Sequence, residues 1–199
     1  DVYGSLTVEN CYVSGTIETA DGTNKIESAG GLIGNVRGKY NYSVNIKSCY
    51  ADAEIKGTAS SGFAGGLVGW TGGSTTIDNS YAVVDMDVEA GNSIGGLVGC
   101  GNDSKVKISH SYAAGEALPK NPIGASVAGI SANGSISSCV SIFPEMRSLN
   151  RIGGTTGSCR DNYGFAGTVA RKSDGTILTP DPDTMGADKL YGADATAED

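Results

Sequence analysis

A single histidine, His110, serves the whole 199-residue chain. A zinc-peptidase helix of the form His-Glu-x-x-His needs two, so that chemistry is excluded. The segment Gly91-Asn92-Ser93-Ile94-Gly95 matches a nucleophile elbow. An elbow requires a strand-to-helix turn with a histidine and an acid in partnership, whereas this one runs straight into a repeated glycine phrase. Asp52, Asp85, Asp87 and Glu116 fall at comparable points of successive repeats. Aligned acids are what polysaccharide lyases and hydrolases built on β-helices use, and the separation of two carboxylates sets glycosidase chemistry. Each acid also has an ordinary solvated reading, and in the sequence they look dispersed. Asp181-Pro182-Asp183-Thr184-Met185-Gly186 has the outline of a calcium loop. It lacks the fifth ligand and has Gly192 where the bidentate Glu should fall. No catalytic residue, metal-ligand set or cofactor is therefore expected.

Five cysteines are present, an odd number, and their spacing makes no secreted disulfide framework. Paired Cys-x-x-Cys or His spacing for zinc is missing. Cys11, Cys49 and Cys139 share one column of the repeat described below, and Cys159 replaces Ile in another. They read as small buried hydrophobes. Cys11 and Cys49 would lie on neighbouring coils, where a bridge is conceivable but poorly oriented in a parallel ladder.

The residues best suited to binding are aromatic. Arg37, Tyr40, Asn41 and Tyr42 belong to an expanded loop, Asn35–Ser43, and Trp70, the sole tryptophan, begins the corresponding loop one repeat later. Stacking of repeats would bring Tyr40, Tyr42 and Trp70 to one side. Aromatic rings beside Asn and Arg offer an apolar face and polar tips to sugar rings or peptide surfaces. The competing reading is that the rings pack over the edge of the fold or against a neighbouring domain.

The elements that would position these residues are set by two alternating phrases. Gly30-Gly31-Leu32-Ile33-Gly34 returns as Gly65-Gly66-Leu67-Val68-Gly69 and Gly95-Gly96-Leu97-Val98-Gly99, with worn copies at Ala128-Gly129-Ile130 and Gly153-Gly154-Thr155-Thr156-Gly157. Between them lies a phrase centred on Tyr12, Tyr50, Tyr81, Tyr112, Val140 and Tyr163. Four positions before this column the residue is apolar: Val8, Ile46, Ile77, Ile108, Ile136, then Cys159. Two before it the residue is polar: Asn10, Ser48, Asn79, His110, Ser138, Asp161. One before it the residue is small: Cys11, Cys49, Ser80, Ser111, Cys139, Asn162. Self-similarity at this period marks a repeat architecture, in which a unit too small to bury a core alone does so by stacking on its neighbours. Short apolar runs bounded by Gly, Asn, Ser and Asp read as strands, and no window carries helical spacing. The fold class expected is all-β: a parallel β-solenoid (β-helix) of about five to six coils with a short C-terminal cap. Polar columns satisfy backbone groups at corners, while glycine serves positive φ or close backbone approach. Leu and Val are adjacent in the glycine phrase, so in one strand they would face opposite sides; either a bend follows at once or the outer face is covered.

The two phrases resemble the GLUG motif, named for its Gly-Leu-hydrophobic-Gly core. The match is closest at Gly65–Ala82 and Gly95–Gly115, good at Gly30–Ala53 and degenerate from Ser126 to Val169. Repeats of this family occur in large bacterial surface and secreted proteins, including regions beside the catalytic domain of zinc peptidases that cut immunoglobulin A. The resemblance implies a surface-exposed β-solenoid segment, extracellular or on the bacterial cell surface. It brings no catalytic residues with it.

Residues 1–169 are accordingly read as the repeat solenoid and 170–199 as a C-terminal cap and linker. In the latter, Thr184–Tyr191 is expected to form one helical turn over the solenoid end, with Leu190 and Tyr191 as its apolar contacts, and Ala193–Asp199 a linker or frayed end. The chain opens in mid-repeat, so either it is a piece of a larger protein with flanking domains or Asp1–Leu6 forms a cap. A net charge of −8 argues against nucleic acid, which needs clustered Lys and Arg. No apolar run is long enough to cross a membrane. The function expected is a noncatalytic surface module: an adhesin binding a glycan or a host or matrix protein through its edge loops, or a spacer presenting another domain. A carbohydrate-active β-helix enzyme, lyase or hydrolase, is the alternative.

Overall fold

The computed structural model describes residues 4–19, 27–36, 42–59, 62–90, 93–101, 105–119, 126–131, 133–154, 158–172 and 174–196. The first coil carries β1 (Ser5–Glu9), β2 (Tyr12–Glu18), β3 (Ser28–Gly30) and β4 (Ile33–Val36). The second repeats it as β5 (Ser43–Lys47), β6 (Tyr50–Ala59), β7 (Phe63–Gly65) and β8 (Val68–Thr71). The third is β9 (Ser74–Asp78), β10 (Tyr81–Ala90), β11 (Ser93–Gly95) and β12 (Val98–Gly101). Then come β13 (Val106–Ser109), β14 (Tyr112–Ala114), β15 (Ala117–Leu118) and β16 (Ser126–Ala128). Shorter strands finish the stack: β17 (Ser135–Ser137), β18 (Val140–Ile142), β19 (Glu145–Met146), β20 (Cys159–Arg160), β21 (Tyr163–Phe165), β22 (Val169–Ala170) and β23 (Ala193–Ala195).

All pairings between these strands are parallel. One face has the order β1-β5-β9-β13-β17-β20 and another β2-β6-β10-β14-β18-β21-β23; a narrower face, β3-β7-β11-β16, carries the glycine phrase. The protein is thus a parallel β-solenoid. Its two longest faces carry six and seven rungs, and about four turns are closed on every side. The columns read from the sequence are the rungs themselves: Ile46 pairs with Ile77 and Ile77 with Ile108, and Tyr50 with Tyr81 and Tyr81 with Tyr112. Alternation follows the two-residue period of a strand. Val44 and Ile46 of β5 are buried while Asn45 and Lys47 are exposed.

The adjacent Leu and Val of the phrase are both buried because the chain bends between them. Leu67 lies in the turn joining β7 to β8, and the Leu67 and Val68 amides both donate to the Leu97 carbonyl, at 2.9 and 3.0 Å. The phrase glycines serve close approach rather than positive φ. A Cβ on Gly65 would stand 2.5 Å from the Gly99 nitrogen and 2.9 Å from the Leu97 carbonyl oxygen. Positive φ falls instead on the polar column: Asn10, Ser48, Asn79, His110, Ser138 and Asp161 all lie between 47° and 53°. Asn and Asp tolerate that left-handed conformation best among non-glycine residues, which accounts for much of this column's composition.

The small column forms a buried polar spine. The Cys49 amide donates to Ser80 Oγ at 3.1 Å and the Ser80 amide to Ser111 Oγ at 3.1 Å. Each hydroxyl donates back to a carbonyl two residues earlier, Ser80 to Asp78 at 2.9 Å and Ser111 to Ser109 at 2.6 Å. Cys11 to Cys49 and Cys139 to Asn162 make the same amide-to-side-chain step at 3.4 and 2.9 Å. All five cysteines are free thiols. Cys49 and Cys139 are buried as expected, but Cys11, in the first coil, is exposed. Burial pushes the Cys139 thiol up to about 12 and the Cys159 thiol to about 11.

The C-terminal end departs from the expected register. Leu97, Ile130 and Ile152 continue one column, because the Leu97 amide donates to Ile130 and the Ile130 amide to Ile152. Arg151 therefore stands where Gly66, Gly96 and Gly129 stood, and Gly153 pairs with Ser131 rather than opening a glycine phrase. Room exists because the column facing these glycines changes as well, from Ala82 and Ala113 to Ser141, Gly164 and Asp194. The Arg151 side chain, 1% exposed, lies against Gly164. The tail also differs from expectation. The helical turn is a 3-10 turn at Pro182–Thr184, ahead of the segment expected to coil. Leu190 takes the next place in the Leu column, its carbonyl accepting from the Ile152 and Gly153 amides at 3.0 and 3.2 Å, and Tyr191 is buried. Ala193–Ala195, read as linker, is a strand paired in parallel with β21.

Candidate functional site

Trp70 sits in β8 between Asn35 and Cys100 of the adjacent rungs. Thr71, next in the strand, points inward and is buried, leaving Trp70 on the outer side and half-buried. Its ring lies over Gly72, where a Cβ would come 2.5 Å from the ring's Cη2. Phe63 is a ring neighbour at 6.5 Å between centroids, tilted by 36°. Tyr42 is half-buried just before β5, with its carbonyl accepting from the Ser74 amide at 3.0 Å. A Cβ on Gly73 would stand 3.5 Å from the Tyr42 Cβ. Trp70 and Tyr42 therefore flank one Gly72-Gly73 bend. Arg37, Tyr40 and Asn41 lie outside the described residues. Phe63 was not singled out from the sequence; its position two before Gly65 matches Ser28 and Ser93, so only the contrast with these serines marks it.

A second surface is the outer side of the seven-stranded face. Tyr12, Tyr50, Tyr81 and Tyr112 form a continuous stack, with centroids 4.0, 4.8 and 4.6 Å apart. Partial burial and the neighbouring rings and Asp52 raise the Tyr50 phenol above its ordinary range, and burial and Tyr81 raise that of Tyr112. Two residues along each strand, the outward row is Ser14, Asp52, Val83, Ala114, Ile142 and Phe165. Beyond it, Thr16 Oγ1 donates to Glu54 at 3.0 Å, and Lys56 pairs with Glu54 at 2.6 Å. The Glu54 hydrogen bond is the main reason the Lys56 ammonium is held above its ordinary range.

Where the ten-residue β10 meets the short β14, the acids gather. Asp52, Glu54, Asp85 and Glu116 line one cleft of about 410 Å³ with Val83 and Gly115. They are not dispersed, as the sequence alone made them look. Asp87 falls one row further out, opposite Lys56.

The remaining motifs resolve as architecture. His110 is exposed at its corner, with Nδ1 2.8 Å from Asp78 Oδ1, and Ser109 donates to the same oxygen at 2.7 Å. Both serve Asp78, so the three make no nucleophile–base relay. Ser93 opens strand β11, with no helix to make it an elbow; Gly91 and Asn92 lie outside the described residues. Asp181 caps the 3-10 turn by accepting from the Asp183 amide at 3.0 Å. Among the described residues no group of three or more His, Cys, Asp or Glu could hold a metal.

No family model and no curated protein matches the sequence. Among solved structures, the chain is similar to a putative immunoglobulin A1 protease from Bacteroides ovatus, with a TM-score of 0.55 and 22% identity. The similarity covers 98% of this chain and 54% of that one, so the chain spans about half the length of the structure it matches. At this identity the likeness is one of fold.

Proposed function

We infer that this chain is a noncatalytic GLUG-like repeat module of a bacterial cell-surface or secreted protein. It works in adhesion or as a rigid spacer beside other domains. The observation that carries the reading is the solenoid itself: an uninterrupted parallel stack whose side chains are spent on ladders. Support also comes from the fold shared along nearly the whole chain with about half of a longer bacterial protein named for immunoglobulin A1 cleavage. Within the adhesive reading, the Trp70 and Tyr42 edge contacts a glycan or a host or matrix protein, and Arg37, Tyr40 and Asn41, adjacent to Tyr42 in sequence, are assigned to the same contact. The test is binding of the purified chain to a glycan and matrix-protein panel, with Trp70→Ala and Tyr42→Ala in parallel. Loss in both variants with folding intact supports the adhesive edge; no binding by the parent chain favours the spacer.

A second reading rests on the acidic cleft. Asp52, Glu54, Asp85 and Glu116 line one groove open to solvent, and glycoside hydrolysis uses a pair of carboxyl groups flanking the scissile bond. Release of reducing ends from polysaccharides, abolished in Asp85→Asn and Glu116→Gln, would establish it. Inert substrates throughout would leave the noncatalytic module.

A further inference from the structure

Successive coils are joined by the same few hydrogen bonds. The amide of the polar corner donates forward, Asn10 to the Lys47 carbonyl at 3.1 Å and Ser48 to Asp78 at 3.2 Å. The glycine bend donates forward too, Gly31 to Gly66 at 2.9 Å and Leu32 to Leu67 at 3.1 Å. The tyrosine amide donates backward, Tyr50 to Cys11 at 2.9 Å and Tyr81 to Cys49 at 3.0 Å. At the N-terminal end the receiving half of this pattern meets no earlier coil among the described residues. The Glu9, Gly31 and Leu32 carbonyls and Cys11 Sγ stand where Lys47, Gly66, Leu67 and Cys49 accept. The Tyr12 amide stands where that of Tyr50 donates.

The side chains of this end are those of an interior coil. Leu6, Val8, Val13, Ile17, Leu32 and Ile33 are half-buried, whereas their counterparts one coil on are at most 1% exposed. Tyr12 is 52% exposed, with Tyr50 stacked on one face of its ring. The opposite end is finished differently. There the Asp161 and Asn162 amides donate to Asp188 Oδ1 and to the Ala187 carbonyl at 2.9 and 2.8 Å, and the Leu190 carbonyl accepts from Ile152. Residues 187–190 thus take up the donors of the last coil. No equivalent covers the first coil among the described residues.

The pattern also selects the occupant. Acceptors at both corner and bend call for amide donors at both, which a coil with the same corner and the same glycine bend supplies in parallel register. A second copy docked through its own N-terminal edge would run antiparallel and bring acceptors of the same kind. A second copy docked through its C-terminal end would find those donors already taken. The passage between coils is short: β8 reaches β9 through Gly72 and Gly73 alone. The four residues ahead of Ser5 are enough to make it.

We propose that the N-terminal end of the solenoid is a docking edge for one further coil of the same repeat pattern, stacked in parallel and joined in the same polypeptide through the segment ahead of Ser5. An unpaired strand edge is a template for pairing, and the docking continues the interface that already joins each coil to the next. The proposal rests on the reading of the chain as a module beside other sequence, and it names what that neighbouring sequence is. It does not depend on adhesion.

The experiment adds that coil. Residues Ser43–Gly73 are duplicated and joined to Ser5 in place of Asp1–Gly4, just as Gly73 is joined to Ser74. The added copy carries Cys49→Ser, so that Cys11 is the thiol at the junction. A control carries Ile46→Asp and Leu67→Asp in the added copy as well. Maleimide labelling, read by peptide mass, and amide hydrogen exchange are followed in both and in the parent. Cys11, exposed in the parent, should label about tenfold or more slowly in the extended chain, and the Tyr12 amide should exchange more slowly by a similar factor. The control should match the parent at both positions. Protected Ile77 and Ile108 amides in all three chains show that the native coils stay folded. Equal labelling and exchange in parent and extended chain would overturn the proposal and leave the noncatalytic module standing with a free end. Polysaccharide cleavage would instead strike the module reading without touching this edge. A parent in which Cys11 already labels as slowly as Cys49 would mean that the chain's own residues close the end, which also overturns the proposal. Cys11 protection that rises with parent concentration, with a dimer in sedimentation, would overturn it in favour of a second copy.

Discussion

Tyr81 and Tyr112 lie face to face, their centroids 4.6 Å apart and their planes within 4° of parallel. Tyr50 covers the other face of Tyr81 at 4.8 Å. A ring sandwiched in this way loses two partners when removed, and each aromatic pair contributes about 0.5–1.5 kcal/mol beyond area burial. Tyr81→Ala should lower unfolding free energy by about 1–3 kcal/mol in urea titration. Tyr81→Val, which copies the natural exception at Val140, should lose less. An unchanged midpoint for Tyr81→Ala would mean that the stack is a by-product of register and not a source of stability.

The polar spine makes a different prediction, because it concerns satisfaction rather than area. Ser80→Ala leaves the buried Cys49 amide without its acceptor and should cost about 1–3 kcal/mol. Ser80→Cys restores the residue type that the same column carries at Cys49 and Cys139, whose thiols donate to the Lys47 and Ser137 carbonyls at 3.2 Å. It should recover most of the loss. If both substitutions are equally damaging, volume at this position matters and the hydrogen bond does not.

Why some of this was legible and some was not follows from what repeats. Residues in columns declare themselves: Ile77 and Tyr81 recur at the same offset because each rung meets the same neighbours above and below. Asn79 and His110 were readable as corner residues, although only the structure shows that they carry the positive φ and the phrase glycines do not. Trp70 was visible as an edge residue, but its packing on Phe63 and Gly72 depends on a rotamer that no column encodes. Arg151 was missed because two coupled exchanges hide it. A glycine becomes arginine in one column of bends while an alanine becomes glycine in a column of strands, and neither exchange has meaning until the two columns face each other. The acidic cleft escaped for a similar reason. It exists where β10 is long and β14 is short, and strand length past a turn is a tertiary outcome.

Acid should act through Asp78. The hydrogen bond from His110, and next that from Ser109, hold its carboxyl below the ordinary value of 3.8. A depressed folded-state value means that the unfolded chain takes up the proton first as pH falls. The stabilisation is complete above about pH 5, about a unit over the unfolded-state value, and is lost as pH drops through the folded-state value. His110→Asn keeps a residue suited to the left-handed corner, as Asn10 and Asn79 show, but removes the imidazole. Urea midpoints measured from pH 5 down to pH 2.5 should therefore fall less steeply in His110→Asn than in the parent. Identical slopes would remove Asp78 from the acid response.

The closing end of the solenoid depends on Arg151. Its donors reach the Tyr191, Gly164, Phe165 and Gly192 carbonyls at 3.0, 3.2, 2.8 and 3.3 Å and Asp194 at 2.7 Å. Its Cζ stands 4.0 Å over the Tyr191 ring. All five guanidinium N–H groups thus have work, and three of them hold the terminal segment, at Tyr191, Gly192 and Asp194, to the stack. Arg151→Met keeps a long apolar stem but removes all five donors and leaves the Asp194 carboxylate without its cation, which should cost about 3–5 kcal/mol. Arg151→Lys supplies three donors without the planar fork and should recover only part. Asp194→Asn breaks one half-exposed contact and should cost about 1 kcal/mol or less. Hydrogen exchange locates the damage: in Arg151→Met the Ala193–Ala195 and Phe165 amides should exchange faster, while Ile46 and Ile77, several rungs away, keep their protection. Uniform loss at all of these amides would instead make Arg151 a determinant of the whole stack, and the terminal strand would have no independent latch.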